Sequence, residues 1–261
     1  MTIPATGAIS MSQIQNEHGG SGSISLGEYY AGGGIVYDDT WNPDVPVYNP
    51  DEVVPISMGD LRGSTKSVNV YYGITGGGGA GGIGSRNSKT NAGNGAAGES
   101  SYFVAYNDRE DFPLEWLTQE SPGGAGGTGV TETYETKAGR AGEDSIYGAG
   151  GAGGDNNEHG SDAPAASWGA GGGGGGGDSP AWNDSSGKAG HGGYAAEFVW
   201  GYFRVKKGST IRLQIGAGAP RNDATTLGGD LNYEGGAGAG GYGYVSGYGT
   251  STGGITTWTV V

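Results

Sequence analysis

The stretch GGGGAGGIG, residues 76–84, is the first long member of a series of glycine-rich blocks that dominates this chain. Glycine accounts for 62 of the 261 residues, whereas an average protein contains about 7%. The segments between the blocks contain Trp, Tyr, Asp and Asn. Short glycine runs separated by aromatic segments indicate a scaffold that holds loops. They do not indicate a flexible linker. The further blocks are residues 93–98, 123–129, 148–154, 169–177, 187–193 and 235–241.

The composition limits how such a scaffold can be held together. Hydrophobic residues make up 34% of the chain and the net charge is −14, a combination typical of disorder. However, 16 Tyr and 6 Trp are more than a solvated chain needs. Glycine can adopt the polyproline II helix, with about three residues per turn and no internal hydrogen bonds. We therefore expect a mostly non-helical fold in which packed polyproline II helices, whose neighbouring backbones pair, join a small antiparallel β layer.

The N-terminal region, residues 1–75, is predicted to be an irregular attachment region that contains a repeated unit. The unit reads Ile-Ser-Met/Leu-x-Gln/Glu/Asp-apolar and begins at Ile9, Ile24 and Ile56. A Ser followed three residues later by an amide or acidic residue resembles a capping box, so each copy predicts one helical turn whose Met or Leu enters an apolar site. Residues 41–55 hold four prolines, which predicts an extended segment. The residues expected to contact a fibre are Ile9, Met11, Ile14, Ile24, Leu26, Tyr29, Ile56, Met58 and Leu61.

Residues 76–261 are predicted to form a glycine-rich receptor-binding domain with several strands. Alternating, β-branched and aromatic residues predict strands at 67–75 (SVNVYYGIT) and 101–107 (SYFVAYN), and TTWTVV at 256–261 is expected to close the sheet. The apolar run at 197–204 and TIRLQI at 210–215 predict a β-hairpin or a tight β-turn-β near 197–215, with Gly208 supplying the turn. No segment longer than one turn has helical periodicity.

The order of blocks and strands also predicts two different ends. If successive blocks are antiparallel, the segments between them emerge alternately at opposite ends. The strand-like segments then share one end, which forms the base. The opposite end carries residues 85–92, 130–147, 178–186 and 219–234.

Aromatic residues among Asn, Asp, Ser and Gly resemble the chemistry of antibody paratopes. Trp182 lies in the middle of a polar segment and is expected to be exposed, whereas Trp168 directly precedes a block and is expected to pack on it. The loop residues expected to bind a receptor are Arg86, Asn87, Lys89, Tyr134, Glu135, Tyr147, Trp182, Asn183, Asp184, Asn222 and Tyr233.

Several classes of function find no support in the residues. The chain has no Cys, and its three His have no partner at zinc-ligand spacing. The Gly-x-Gly-x-x-Gly patterns lack a preceding strand and a following helix, and residues 155–160 lack the ligands of a calcium loop. Acidic balance opposes nucleic-acid binding, and no apolar stretch is long enough to cross a membrane. We therefore expect no enzyme activity, no cofactor and no metal.

The blocks at 76–84, 123–129, 148–154, 169–177 and 235–241 resemble the distal tail-fibre adhesins of T-even-like bacteriophages. The resemblance covers roughly residues 76–254. It implies a packed layer of polyproline II helices whose loops bind bacterial surface receptors. The repeated N-terminal units, with GEYYAGGG at 27–34, also look like a short module of tailed-phage structural proteins. The N-terminal region differs from the fibre-attachment domain of the T-even adhesins.

These features predict a virion adhesin at the distal tail fibre or tail tip. Its expected partners are a tail-fibre or tail-tip protein, for which the three repeated units would suit a trimer, and a bacterial outer-membrane protein or surface glycan. The alternative is a structural virion protein, used as a spacer or decoration, without receptor binding. A more remote alternative is an ice-binding glycine-rich protein, which the long unequal loops oppose.

Overall fold

The computed structural model describes residues 3–4, 6–22, 25–29, 55–61, 63–65, 67–85, 93–106, 117–129, 138–155, 158–175, 189–221 and 232–261. This part of the chain is mostly non-helical, and it contains two four-stranded antiparallel sheets and one α-helix. The helix α1 spans Met11–His18, and 3-10 turns span Leu26–Tyr29 and Met58–Leu61. The strands are β1 (Ser67–Thr75), β2 (Gly84–Ser85), β3 (Ser101–Tyr106), β4 (Leu117–Ser121), β5 (Phe198–Lys206), β6 (Thr210–Ile215), β7 (Asn232–Tyr233), β8 (Tyr242–Val245), β9 (Gly249–Ser251) and β10 (Gly254–Thr259).

The two larger sheets face each other across one apolar core. One sheet has the order β5-β1-β8-β9 and the other the order β10-β6-β3-β4. Alternation along TIRLQI buries the side chains of Ile211, Leu213 and Ile215. The rings of Tyr72 from the first sheet and Phe103 from the second stack with their centroids 4.5 Å apart. The sheets therefore form a sandwich whose core is built from the inward faces of both.

The predicted hairpin at 197–215 is wrong, because β5 and β6 belong to different sheets. β5 pairs along all nine residues with β1, and β6 lies between β3 and β10. Gly208, with φ +92°, turns the chain from one sheet to the other. Because β3 and β10 occupy both edges of β6, β6 has no free edge on which β5 could pair.

The other strand predictions are confirmed, with small changes in their bounds. β1 has the predicted limits, β3 ends at Tyr106, and β10 begins before the predicted segment and pairs with β6. The expectation that no helix exceeds one turn is wrong for α1, which has eight residues. Its capping box starts a helix that continues because Ile14, Glu17 and His18 are buried on one side.

Backbone hydrogen bonds join the glycine blocks to one another. Within residues 76–83, every third N–H group donates to the same neighbouring segment. Residues 77, 80 and 83 donate to carbonyls within 93–99, residues 78 and 81 to carbonyls within 236–239, and residues 79 and 82 to carbonyls within 191–194.

Block 76–83 also accepts hydrogen bonds from three further segments. Its carbonyl oxygens accept from N–H groups within 124–127 and 172–175 and from the N–H of Ala219. All of its residues are buried. A Cβ atom added to Gly78 would overlap the carbonyl oxygen of Ala170, and one added to Gly79 would overlap that of Ala125. The close approach of backbones on several sides therefore requires glycine at these positions.

Three segments outside the glycine blocks identified from the sequence pair with those blocks as well. They are residues 139–143, 158–163 and 216–219. Gly139 and Gly142 donate antiparallel to Gly154 and Gly151. Such pairings make successive described segments alternate in direction throughout.

These alternating directions correct the predicted ends. We call the end next to the two large sheets the sheet end, and the opposite one the far end. The described residues that flank each remaining connection lie at the far end: 85 and 93, 129 and 138, 155 and 158, 175 and 189, and 221 and 232. The turn 144–147, which was expected there, lies at the sheet end because segment 139–143 returns the chain before it.

Candidate functional site

The three repeated units of the N-terminal region adopt the same local structure. Ser10 and Gln13 form a full capping box, in which the Ser10 N–H donates to Gln13 Oε1 at 2.7 Å and the Gln13 N–H donates to Ser10 Oγ at 3.3 Å. The Ser25 N–H donates to Glu28 Oε1 at 2.9 Å. The Ser57 N–H donates to Asp60 Oδ2 at 2.7 Å. The predicted capping box is complete in the first copy, and the half made by the residue three positions after Ser is present in all three copies.

The apolar residues of these units meet in one cluster, which we call the N-terminal cluster. Its buried members are Ile3 and the sixth residue of each unit: Ile14, Tyr29 and Leu61. The third residues, Met11, Leu26 and Met58, are half-buried against it, as are Ile9 and Ile56. Ile24 lies outside the described residues. Since the third residues occupy equivalent places and keep part of their surface exposed, they are the members best placed to touch a partner.

Polar contacts tie the N-terminal cluster to the chain that leads into β1. The Ser64 hydroxyl donates to the Leu61 carbonyl at 2.7 Å and therefore accepts from His18 Nε2 at 2.8 Å. The Tyr29 hydroxyl donates to the Gly19 carbonyl at 3.2 Å. Burial, with a smaller effect of the Glu28 carboxylate, raises the pKa of Tyr29. Because Ser64 precedes Ser67 by only three residues, the cluster lies within about 10 Å of the first residue of β1.

Most of the predicted receptor-binding residues lie outside the described part of the chain. They are Arg86, Asn87, Lys89, Tyr134, Glu135, Trp182, Asn183, Asp184 and Asn222. Each belongs to a stretch whose flanking described residues lie at the far end, so their assignment to that end remains a prediction.

Tyr147 is placed differently from the prediction. It lies in a turn at the sheet end and is half-buried. Its ring meets Phe198 and Tyr242 edge-on, with centroid distances of 5.8 and 5.2 Å. Burial first, and then the neighbouring Tyr242 and Tyr244, raise the pKa of Tyr147 to about 12. It packs between the glycine segments and the sandwich instead of projecting from the far end.

Trp168 packs as predicted, although on a ring and not on glycine alone. It is half-buried, and it stacks on Tyr242 with a centroid distance of 6.0 Å and an angle of 20° between the rings. Tyr242 is therefore held between Tyr147 and Trp168 at the sheet end.

Tyr233 lies at the far end, within a cluster of polar side chains that sequence reasoning missed. β7 pairs it with Gly84 of β2, and its ring meets His159 edge-on at 6.0 Å. Arg221 contacts Asp162 at 2.8 Å and Glu234 at 3.7 Å. These residues come from three different segments, so no spacing along the chain could reveal the cluster.

An open cleft of about 220 Å³ lies along the side of the glycine segments, between residues 139–143 and 189–194. Arg140, Glu143, His191 and the exposed ring of Tyr194 line it. Glu143 accepts from the Ala195 N–H at 3.1 Å. Burial, and then the Arg140 charge, lower the pKa of His191. The cleft offers hydrogen-bonding groups and one ring to a small ligand.

The described residues contain no group of three or more His, Cys, Asp and Glu that could hold a metal ion. Among the described helices, none is both long and apolar enough to cross a bilayer. Comparison with protein-family models, with curated proteins and with solved structures finds no match for this chain.

Proposed function

We propose that this chain is a bacteriophage adhesin of the distal tail fibre or tail tip. In this proposal the N-terminal region binds a fibre or tail-tip protein, and the far-end loops bind a receptor on the host surface. The observation that carries the proposal is the alternation of hydrogen-bonded segments. It brings the described residues that flank four long connections to the end opposite the sheets and the N-terminal cluster. The sequences of these connections contain several Asn and Asp, together with Tyr134 and Trp182.

We further propose that the glycine segments are polyproline II helices packed into a layer. The support is the period of three in their hydrogen bonds, because a helix with about three residues per turn directs every third N–H to the same neighbour. A scaffold of this kind carries few side chains itself. It would hold the far-end loops rigidly, which lowers the entropic cost of ordering them on binding.

The N-terminal cluster supports the attachment half of the proposal. Three equivalent capped turns present Met11, Leu26 and Met58 around one core. Homotrimeric partners offer three equivalent surfaces, and three equivalent apolar contacts match that number. The partner is thus proposed to be a trimeric fibre end.

Loop exchange on the phage that carries this chain tests the function. Residues 130–137 and 177–188 are each replaced by Gly-Ser segments of equal length, and adsorption to host cells is measured. We expect adsorption to fall to background while particles still contain the protein. A matched control replaces Thr252, in the turn between β9 and β10, by Ser, and should adsorb normally.

The same experiment separates the two virion roles. Normal adsorption after exchange of all five far-end connections would reject the adhesin and leave the structural virion role. Loss of the protein from particles after Met11→Asp and Met58→Asp, with the loops intact, would support attachment through the N-terminal cluster.

A further inference from the structure

The first sheet exposes large aromatic side chains on its outer face. Trp200 is 72% exposed, Tyr202 59% and Tyr71 53%. The register of β1 with β5 pairs Tyr71 with Tyr202 and Gly73 with Trp200, so the three rings share one face. The Tyr71 and Tyr202 rings lie 5.5 Å apart. Trp200 lies two residues before Tyr202 on β5, about 6.7 Å away along the strand axis. Exposed apolar patches of this kind mark binding sites.

The composition of this face is unusual for the chain. Among its residues with described side chains, none is Asp or Glu and none is Leu, Ile, Val or Met. The residues that the registers place on it are Asn69, Tyr71, Gly73, Thr75, Phe198, Trp200, Tyr202, Arg204, Lys206, Tyr242, Tyr244 and Thr250.

The rings are supported from below and from the side. A Cβ atom on Gly73 would lie 2.8 Å from the Phe198 ring and would also meet the Tyr244 ring, so both rings lie over this glycine. Tyr242, on the same face, is held between Tyr147 and Trp168. The aromatic surface therefore belongs to a packed sheet and not to a loop, and it needs little ordering before a ligand binds.

The charge of the face also differs from that of the whole chain. Arg204 and Lys206 lie at one end of it, and Lys207 follows in the turn. The chain as a whole carries a net charge of −14. Cations on a surface without described carboxylates, within so acidic a protein, are complementary to an anionic partner.

We propose that this outer face binds an acidic polysaccharide, such as a chain that contains uronic acids. The C–H faces of successive sugar rings would stack on Trp200 and on the pair Tyr71 and Tyr202. Carboxylates of the polymer would lie near Arg204 and Lys206, whose positive charges attract them. A protein partner fits less well, since the face offers no aliphatic side chain to pack against.

This site is separate from the far-end loops. It would give the protein a second contact with an anionic surface polymer, in addition to the receptor of the proposed function. Two contacts of moderate strength on one particle increase the overall avidity.

Binding of the purified full-length chain to polygalacturonate, with neutral dextran as the comparison polymer, tests the inference. The variant Trp200→Thr/Tyr202→Thr removes two rings and keeps β-branched residues that suit a strand. We expect it to bind polygalacturonate at least about tenfold more weakly, the change that about 1.4 kcal/mol produces. Lys206→Gln should weaken binding less and reduce its dependence on salt. The control Ile255→Thr removes an apolar side chain of similar exposure, 63%, from the other sheet, and should bind normally.

Thermal unfolding of each variant verifies that the fold is retained. Absence of polygalacturonate binding by the unchanged protein would overturn the inference, as would equal binding by the double variant. Loss of the double variant from phage particles, without any polysaccharide binding by the unchanged protein, would assign the face to a virion protein instead. Because the assay uses no host receptor and no loop variant, its outcome is independent of the adsorption test.

Discussion

The β-sandwich and the glycine segments are held together in opposite ways. In the sandwich, side chains such as Phe103 and Leu213 fill the space between two sheets. In the glycine segments, carbonyl oxygens occupy the places that side chains would take, as Ala170 does beside Gly78. One region therefore depends on keeping its side chains and the other on their absence. Adding one carbon atom should therefore destabilise the glycine segments, whereas removing one should destabilise the sandwich.

The energetic terms differ accordingly. Burial of apolar surface and close packing stabilise the sandwich. In the glycine segments there is little apolar surface to bury, and stability depends on pairing each buried N–H and C=O group. Glycine also loses more backbone entropy on folding than other residues, so a dense hydrogen-bond network is needed to offset that loss.

The largest effect is expected from adding one carbon to the glycine segments. Gly238→Ala places a Cβ on the carbonyl oxygen of Gly78, and a backbone atom cannot move aside without breaking pairs with other segments. We expect a loss of more than about 3 kcal/mol in the free energy of unfolding, beyond the usual cost of overpacking, measured by chemical denaturation.

The matched control for this prediction lies two residues away. Gly240→Ala meets no atom within 4 Å and should be neutral, or stabilising by up to about 1 kcal/mol through the unfolded state. Similar destabilisation by both variants would show that glycine is needed there for its flexibility and not for close approach.

A smaller effect is expected at the junction between the two regions. Ser121 Oγ accepts from the Gly76 N–H at 2.8 Å and donates to the Glu197 carbonyl at 2.6 Å, and it is buried. Ser121→Ala leaves both backbone groups unpaired and should cost about 1–3 kcal/mol in thermal or chemical unfolding. Ser246→Ala, at an exposed position, should change little. An equal, small effect of the two substitutions would mean that water replaces the Ser121 hydroxyl as the partner of both backbone groups.

Removing one carbon from the sandwich core should have a still smaller effect. Ile211 is fully buried, and Ile211→Val should cost about 1 kcal/mol. Ile255→Val, at a side chain that is 63% exposed, serves as the control and should leave the unfolding curve unchanged. A loss from Ile211→Val as large as that from Gly238→Ala would remove the distinction between the two regions.

The smallest effect near neutral pH is expected from Tyr147, whose turn joins the two regions. Its pKa is raised from 10.0 to about 12, so the folded protein keeps the neutral phenol at a pH where the unfolded chain loses the proton. This contribution to stability is complete below about pH 10 and is lost as the pH rises through about 12. Tyr147→Phe keeps the ring and removes the titration.

Unfolding curves measured between pH 9 and pH 12 check this prediction. The stability of the unchanged protein should fall relative to that of Tyr147→Phe across this interval. A constant difference between the two proteins would mean that Tyr147 titrates alike when folded and unfolded.

Local patterns predicted local structure well. The alternation of SVNVYYGIT marked β1 with its observed limits, and Ser followed three residues later by Gln, Glu or Asp marked three capped turns. In each case the deciding interactions join residues close in sequence. The partner of β5 could not be read in this way, because the choice between β6 and β1 depends on residues about 130 positions apart.

The failure to predict some of the glycine segments from the sequence has a related cause. Residues 139–143 read GRAGE, which looks like a loop. Gly139 and Gly142 approach other backbones, whereas Arg140 and Glu143 are exposed. A segment at the edge of the group needs glycine only where it faces its neighbours, so its composition differs from that of the enclosed block 76–83. This omission misplaced Tyr147 among the far-end candidates.

The sequence by itself determined the local elements of this protein. They are glycine blocks whose backbones pack too closely to admit side chains, strands with a buried face, and three capped turns. Glycine content and short-range periodicity carry that information directly. Only the tertiary structure decided which segments are neighbours, which end each connection occupies, and that Tyr71, Trp200 and Tyr202 share an exposed face. Those outcomes depend on contacts between distant residues, and many pairings are compatible with the same local patterns until the whole chain has packed.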